Sequence, residues 1–306
     1  MPNGHIRQYE DLVAAAQRKR LQITRREQRQ IARLFQEAAD ELHERINKPN
    51  TPPLTMSFCQ SYARHLTHES EKMYSEIERI VENGIKDIAK SQVYVQQTFF
   101  GSLIPARYEI GDKIAQTLNH IPEDTAKELM SGGIYKDFAG LSEKIWNYKE
   151  KFDKDIQYII ERGIIEKKSA LDLSRDLEQY LQPGLKKPWA WAKVYPKSKE
   201  IVDYNAQRLA RTACTHAYQM AFQRATRDNP FITQYRWETS GGARVCDICR
   251  EREGKLFDKD NVPLDHPNGM CTLTAVIEKS YDEIAAELRD WADGGENAAL
   301  DEWLGE

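Results

Sequence analysis

The stretch CDICREREGKLFDKDNVPLDHPNGMC, residues 246–271, contains three of the five cysteines of the chain and one of its seven histidines. Cys246 and Cys249 form a Cys-x-x-Cys step, a compact loop that can aim two sulfur atoms at one point. His266 and Cys271 lie beyond a segment that can return as a hairpin. The resulting order, C-x2-C-x16-H-x4-C, supplies four ligands of the types that bind structural zinc in a tetrahedron.

The residues leave three interpretations of this Cys/His cluster (Cys246, Cys249, His266 and Cys271) open. If Zn²⁺ binds, the protein fills all four coordination positions and leaves none for water, so the zinc would be structural and would hold a small module together. The same side chains could instead pack in a β-rich knot without metal. Asp-His-Pro-Asn at 265–268 is also similar to metal-dependent nucleases that carry zinc knuckles. Those enzymes need further histidines, and residues 272–306 contain none.

Hydrophobic periodicity predicts a chain that is mostly helical around this cluster. Helices are expected near residues 24–47, 57–97, 112–119, 122–130, 141–167 and 201–227. Thr24 and Glu27 match the capping box T-x-x-E, which predicts that the first helix begins at Thr24. The segments FITQYRWETS, KLF and CTLTAVI, which flank or interrupt the cluster, predict three strands.

These elements predict an α+β fold that is mostly α, with a long helical N-terminal region and a small zinc-knuckle-like C-terminal module that contains β-strands. We expect the helical region over residues 1–150, the module with the Cys/His cluster over 151–280, and an acidic helical tail over 281–306. Residues 182–198 are rich in proline, lysine and aromatic residues, and we interpret them as a linker or an exposed binding loop.

Charge is distributed unevenly along the chain, although the net charge is only −4. The basic N-terminal stretch predicts weak, sequence-independent contacts with DNA phosphates through Arg18, Lys19, Arg20, Arg25, Arg26 and Arg29. The acidic tail contains Trp291 and Trp303, and an exposed tryptophan among carboxylates can anchor a basic partner. The alternatives are that the charged stretches are solvated helix faces and that the tryptophans fold back on their own helix.

Composition and cysteine use exclude several classes of protein. The 306 residues, 40% of them hydrophobic and 30% charged, include no apolar run near the roughly 20 residues that cross a membrane. Residues 1–20 lack the apolar core of a signal peptide, so we expect the chain to be made and kept in a reducing cytoplasm. Cys59 and Cys214 are interpreted as buried thiols. Cys214 and His216 point apart on a helix, which argues against a nucleophile–base pair.

Four segments resemble one known family, namely RLARTACTHAYQMAF (208–222), YRWETSGGARVCDICREREGKLF (235–257), HPNGMC (266–271) and TLTAVI (272–277). They are similar to the minor head proteins of tailed phages of the phage Mu F type, also called phage head morphogenesis proteins. The resemblance covers residues 156–277, and the N-terminal 150 residues match only in being helical. The family usually closes with His-Pro-Asn-Cys-Arg-Cys, whereas Gly269 and Met270 replace the first of those cysteines and the arginine here. The ligand set therefore has no spare thiol.

The resemblance implies a non-enzymatic structural protein of the virion or procapsid head, made in the host bacterial cytoplasm. It implies a role in head assembly, DNA packaging or DNA delivery at the capsid interior or the portal. The expected partners are the portal protein or the major capsid or scaffolding protein, with weak, non-specific contacts to phage DNA. No membrane and no small-molecule substrate are expected. The alternatives are a DNA-binding zinc protein and a metal-dependent nuclease.

Overall fold

The computed structural model describes residues 4–46, 56–135, 137, 139–166, 168, 172, 176, 180, 202–239, 241, 245–267 and 269–305. Most of these residues are helical, and one small antiparallel sheet accompanies them, which confirms the predicted α+β, mostly α fold. Residues 182–198, interpreted above as a linker or a binding loop, lie outside the described residues, as does the side chain of Cys59. Cys214 is buried, as predicted.

The described helices agree in position with the predicted ones except at the start of α1 and at the short helix α7, which the sequence analysis does not predict. They are α1 (Gly4–Ile46), α2 (Met56–Gly101), α3 (Ile110–Leu118), α4 (Ile121–Ser131), α5 (Leu141–Ile165), α6 (Val202–Thr226), α7 (Asp247–Arg252), α8 (Tyr281–Ala292) and α9 (Ala298–Leu304). Among the helices of the described ranges, none combines the length and the apolar character that a membrane span requires.

The first helix differs most from its prediction, because it begins at Gly4 and runs through Thr24 without interruption. The Thr24 hydroxyl donates a hydrogen bond of 2.9 Å to the carbonyl oxygen of Arg20, one turn earlier. This is the usual bond of a threonine inside a helix. The predicted capping box at Thr24 is therefore wrong, and residues 4–23 extend the same helix.

The sheet consists of β1 (Gln234–Glu238), β2 (Leu256–Asp258) and β3 (Thr272–Val276), in the order β2-β1-β3 with both pairs antiparallel. All three predicted strands are confirmed. Side chains alternate along β1, so Tyr235 and Trp237 are fully buried while Arg236 is exposed. With only three short strands, the sheet contributes a single buried face to the core.

The chain divides into two compact units, each of which combines segments distant in sequence. Unit 1 contains Met1–Thr24, Asn83–Leu129 and Arg211–Glu306, and unit 2 contains Arg25–Glu82 and Met130–Ala210. The sheet, the Cys/His cluster and the first turns of α1 therefore belong to unit 1.

The two tryptophans of the acidic tail are part of the core of unit 1. Trp303 is 2% exposed, and its ring centre lies 5.3 Å from that of Phe100 and 6.0 Å from that of Phe231. Trp291 is 7% exposed and donates a hydrogen bond of 2.8 Å from its indole nitrogen to Asp301. The expectation that these tryptophans form an exposed anchor is wrong, because both rings are buried inside the unit.

An aromatic cluster forms the core of unit 2. The ring of Phe152 on α5 lies 6.3 Å from Phe35, 5.9 Å from Tyr74 and 5.8 Å from Tyr180, measured between ring centres. The Tyr180 hydroxyl donates to the buried carboxylate of Asp155 at 2.9 Å. Such edge-to-face and tilted ring pairs stabilise a core through contact area and ring electrostatics.

Candidate metal centre

The hairpin between β1 and β2 positions the first pair of the Cys/His cluster. Cys246 is the N-cap residue of α7 and has extended backbone angles, and Cys249 lies in the first turn of that helix. The backbone N–H of Arg250 donates a hydrogen bond of 2.9 Å to the Cys246 carbonyl, which closes the first turn of the helix. The hairpin closes through a bond of 2.9 Å from the Gly254 amide to the Trp237 carbonyl, with Gly254 at φ +71°, a conformation that favours glycine.

His266 presents one ring nitrogen to both sulfur atoms of this pair. Its Nε2 lies 3.3 Å from the Cys246 Sγ and 3.2 Å from the Cys249 Sγ. Its other ring nitrogen, Nδ1, lies 3.0 Å from the carbonyl oxygen of Pro267. A proton on Nδ1 would be donated to that carbonyl and would leave the Nε2 lone pair directed at the sulfurs, as in a histidine that ligates a metal.

Cys271 completes the cluster from the start of β3. Its sulfur, that of Cys249 and a carboxylate oxygen of Asp265 all lie within 4.8 Å of one another. The ligand atoms of Cys246, Cys249 and His266 form a second group of the same size. Cys249 belongs to both groups, so the four predicted residues converge on one place where they could hold a metal ion.

The Asp265 carboxylate fixes the loop that carries the second pair of the cluster, His266 and Cys271. Its Oδ1 accepts the backbone N–H of His266 at 2.9 Å, and its Oδ2 accepts the backbone N–H of Cys271 at 2.9 Å. A side chain at Gly269 would collide with it, because a Cβ there would lie 2.1 Å from Oδ2. This contact gives a physical reason for glycine where the resembling proteins have cysteine.

Helix α6 holds the same loop from the side through three polar residues. The Thr215 hydroxyl donates to the Gly269 carbonyl, and the His216 Nε2 lies against the Asp265 carbonyl, each at 2.9 Å. The Gln219 side-chain oxygen accepts the Asp265 amide at 2.9 Å. All three side chains are buried. Their bonds therefore replace water for a loop whose backbone is taken out of solvent.

Burial and hydrogen bonding shift the pKa values of the candidate ligand residues in opposite directions. Burial raises the pKa of the Cys249 and Cys271 thiols above their ordinary value. The Cys249 amide, the Cys249 thiol and the nearby imidazole lower the pKa of Cys246. The hydrogen bond to the Pro267 carbonyl, together with the charges of Asp265 and Cys246, raises the pKa of His266. Binding of a metal to this set would release protons.

The six basic residues predicted to contact DNA do not share one environment. Arg18, Lys19, Arg25, Arg26 and Arg29 are exposed. Arg20 is only 4% exposed, and its guanidinium donates to the Cys271 carbonyl at 3.2 Å and to the Met270 carbonyl at 3.1 Å. Arg20 thus hydrogen-bonds to the loop beside the candidate metal centre. Because its guanidinium is buried there, it does not lie on the surface where it could contact a DNA phosphate.

The residues that support the cluster were missed by sequence reasoning. The basic stretch predicts an exposed Arg20, because charged side chains are usually exposed. Asp265 belongs to the Asp-His-Pro-Asn sequence that is similar to nucleases, and that similarity does not predict a supporting role. The sequence of α6 does contain a pattern that could predict supporting residues. Thr215 and Gln219 lie one helical turn apart among buried apolar positions, which indicates polar side chains with partners inside the protein.

One protein family matches the chain. The family model described as Phage Mu protein F like protein matches residues 119–273, a little more than half of the chain. The matched range includes α6, the sheet up to Leu273 and the whole Cys/His cluster. No curated protein matches, and no solved structure matches. The chain belongs to the family of phage Mu protein F like proteins.

Proposed function

We propose that the chain is a non-enzymatic minor head protein of a tailed phage that assists head assembly, DNA packaging or DNA delivery. The family match over residues 119–273 is the observation that carries this proposal, since it indicates a phage head morphogenesis protein. The location would be the virion or procapsid head, at the capsid interior or the portal vertex. The proposed partners are the portal protein or the major capsid or scaffolding protein.

The metal part of the proposal is one structural Zn²⁺ held by Cys246, Cys249, His266 and Cys271. The donor set supports it, because three sulfurs and one imidazole nitrogen are ligands that zinc prefers in closed, four-coordinate sites. The bond from His266 to the Pro267 carbonyl supports it as well, since a carbonyl partner commonly orients the imidazole of a metal ligand. When bound, the ion would cross-link the hairpin between β1 and β2 to the start of β3.

Asp265 is a competing ligand by distance, but its hydrogen bonds favour a supporting role. Each carboxylate oxygen already accepts a backbone N–H, one from His266 and one from Cys271. These bonds place the two residues of the second pair at a fixed separation along the loop. We therefore assign Asp265 to positioning and His266 to ligation.

Contact with phage DNA is proposed for the exposed basic residues of α1 alone, namely Arg18, Lys19, Arg25, Arg26 and Arg29. A net charge of −4 supports only weak binding, because phosphate contacts dominate non-specific affinity. Binding should appear at low salt and fade as salt rises. Replacing these five residues by glutamate should abolish it, whereas unchanged binding would show that the stretch is a solvated face.

Quantitative mass spectrometry of purified procapsids and mature particles of the encoding phage tests the proposed location. We expect a few copies per particle, with cross-links to a head or portal component. Absence of the chain from both kinds of particle would refute the minor head assignment. A zinc-containing protein that binds DNA but never enters particles would support the alternative of a DNA-binding zinc protein.

A further inference from the structure

Three side chains of α1 and α6 lie at or beside the loop that carries His266 and Cys271, and two of them, Arg20 and Tyr218, are buried. The Arg20 guanidinium bridges two successive carbonyls, those of Met270 and Cys271. The same guanidinium lies over the ring of Tyr218 on α6, with its carbon 4.9 Å from the ring centre. One turn earlier on α1, the Gln17 amide donates to the Thr272 hydroxyl at 3.2 Å.

These contacts connect α1 to residues that immediately flank a proposed ligand. Arg20 and Gln17 reach residues 270–272, with Cys271 in the middle. The other end of this part of α1 is held differently, since Tyr9 packs against Phe99 with 4.7 Å between ring centres. The first turns of α1 thus combine an apolar anchor at Tyr9 with a polar anchor at the metal loop.

We propose that Arg20 couples α1 to the metal centre, so that metal binding by the Cys/His cluster and docking of residues 17–24 onto the loop stabilise each other. The proposal rests on the proposed zinc site. A bound ion would hold Cys271 and its carbonyl in place, which fixes the acceptors of the Arg20 fork. Conversely, a docked Arg20 fixes the backbone from which the Cys271 sulfur is presented, so it is a positioning residue.

Charge favours the same coupling. Three thiolates and a neutral imidazole around Zn²⁺ would carry a net charge of −1, and the buried Asp265 carboxylate adds another negative charge. Arg20 is a buried cation of unit 1 directed at this loop. Arginine suits this place because its planar fork donates two parallel bonds, which the single ammonium of lysine cannot reproduce.

Thermodynamic linkage gives the proposal a test on the wild-type protein. If metal binding stabilises docking of residues 17–24, removal of the metal must loosen them, because coupling is reciprocal. Backbone hydrogen exchange is compared between zinc-loaded protein and protein treated with a chelator. We expect faster exchange at residues 17–24 and 246–276, a smaller change near Tyr9, and no change in α5, which belongs to unit 2.

Matched variants on α1 give the second arm of the experiment. Arg20→Met should weaken zinc affinity by about 10-fold or more in a competition with a chromophoric chelator, which is typical for loss of an outer contact to a metal ligand. Arg20→Lys should fall between Arg20→Met and wild type. Arg33→Met, at an exposed arginine of the same helix outside the proposed DNA contacts, is the control and should leave zinc affinity unchanged.

The outcomes separate this inference from the zinc proposal itself. A wild-type protein that binds no metal refutes both. A protein that binds zinc, but whose exchange at residues 17–24 is unaffected by the chelator, refutes the coupling alone. Wild-type zinc affinity in a folded Arg20→Met protein also refutes it. If that variant does not fold, the exchange experiment on the wild-type protein still decides the matter.

Discussion

Two regions are stabilised by different kinds of contact: the Cys/His module of unit 1, meaning the sheet and the cluster over residues 234–276, and the aromatic core of unit 2. In unit 2, Phe152 packs against several other rings, and each contact is spread over a large apolar surface. In the module, the loop 265–271 is held by single hydrogen bonds to Asp265, to α6 and to Arg20. Apolar packing tolerates swaps that conserve volume, whereas a bond network depends on individual atoms.

The difference matters because removing one partner of a hydrogen bond between buried groups leaves the other partner buried and unsatisfied. A buried donor or acceptor left without its partner costs about 1–3 kcal/mol. A lost apolar contact costs in proportion to the cavity that remains. We therefore expect the module to respond to subtle chemical changes that the aromatic core would absorb.

Loss of a ligand should have the largest effect. Cys249 is the residue shared by both groups of the cluster, so Cys249→Ser should abolish zinc binding. The variant should lose metal binding free energy on the order of 10 kcal/mol, with loosening of unit 1. Zinc-to-protein ratios and hydrogen exchange measure the two effects. Cys214→Ser, a buried thiol outside the cluster, is the control, and full zinc loading of Cys249→Ser would contradict the ligand assignment.

Truncation of an aromatic ring should destabilise unit 2 and leave zinc affinity unchanged. Phe152→Ala should lower the free energy of unfolding by about 3–5 kcal/mol, because it leaves a cavity among Phe35, Tyr74 and Tyr180. Denaturant unfolding measures the loss. Tyr158→Ala, at a more exposed position of the same helix, should cost far less. A fall in zinc affinity in Phe152→Ala would show that the two regions are not independent.

A single added methyl group should disturb the module. In Gly269→Ala the new Cβ meets both oxygens of the Asp265 carboxylate, which cannot move without losing its bonds to the His266 and Cys271 amides. We expect a loss of about 1–3 kcal/mol in stability and weaker zinc binding. Gly133→Ala, where a Cβ would have no atom within 4 Å, is the matched control. Equal stability and equal zinc affinity of the two variants would argue against a steric clash between a side chain at residue 269 and Asp265.

The smallest effect should come from the exposed N-terminus of α8. Ser280 and Glu283 form a capping box, so Ser280→Ala should cost about 1 kcal/mol and leave zinc affinity unchanged. The bonds from Ser280 hold the pKa of Glu283 below its ordinary value of 4.5. A lowered folded-state pKa means that this contribution is present above the unfolded-state pKa and is lost as pH falls through the folded-state value.

The lowered pKa of Glu283 predicts how the stability from the α8 capping box changes with pH, and this dependence can be measured. Denaturant unfolding of wild type and Glu283→Gln is followed from neutral pH to acid. The difference in stability should be full near neutrality and should shrink below the ordinary glutamate pKa. A difference that grows on acidification would refute the assigned capping role.

Sequence patterns predicted most of the elements and the convergence of the Cys/His cluster, because both depend on local spacing. The periodicity of apolar residues located the helices, and the Cys-x-x-Cys and His-x4-Cys pairs located the cluster. The start of α1 was missed, because T-x-x-E occurs inside helices as well as at their ends. Thr24 satisfies its hydroxyl within the helix, and no local pattern distinguishes that case.

The supporting residues could not be predicted, because their roles depend on contacts between distant segments. Arg20 and Cys271 are 251 residues apart, and the bond between them requires the fold to bring α1 to the loop. A charge run gives no sign that one of its members is buried. The same holds for Trp291 and Trp303, whose acidic neighbours predicted exposure although both rings fill the core.

Elemental analysis of the purified protein tests the proposed structural zinc directly. The protein should be produced with zinc in the medium, purified without chelator and compared with Cys249→Ser prepared in parallel. We predict about one zinc per chain in the wild type, as a single four-ligand site requires, and none in the variant. A wild-type protein that is folded and carries no metal would contradict the account.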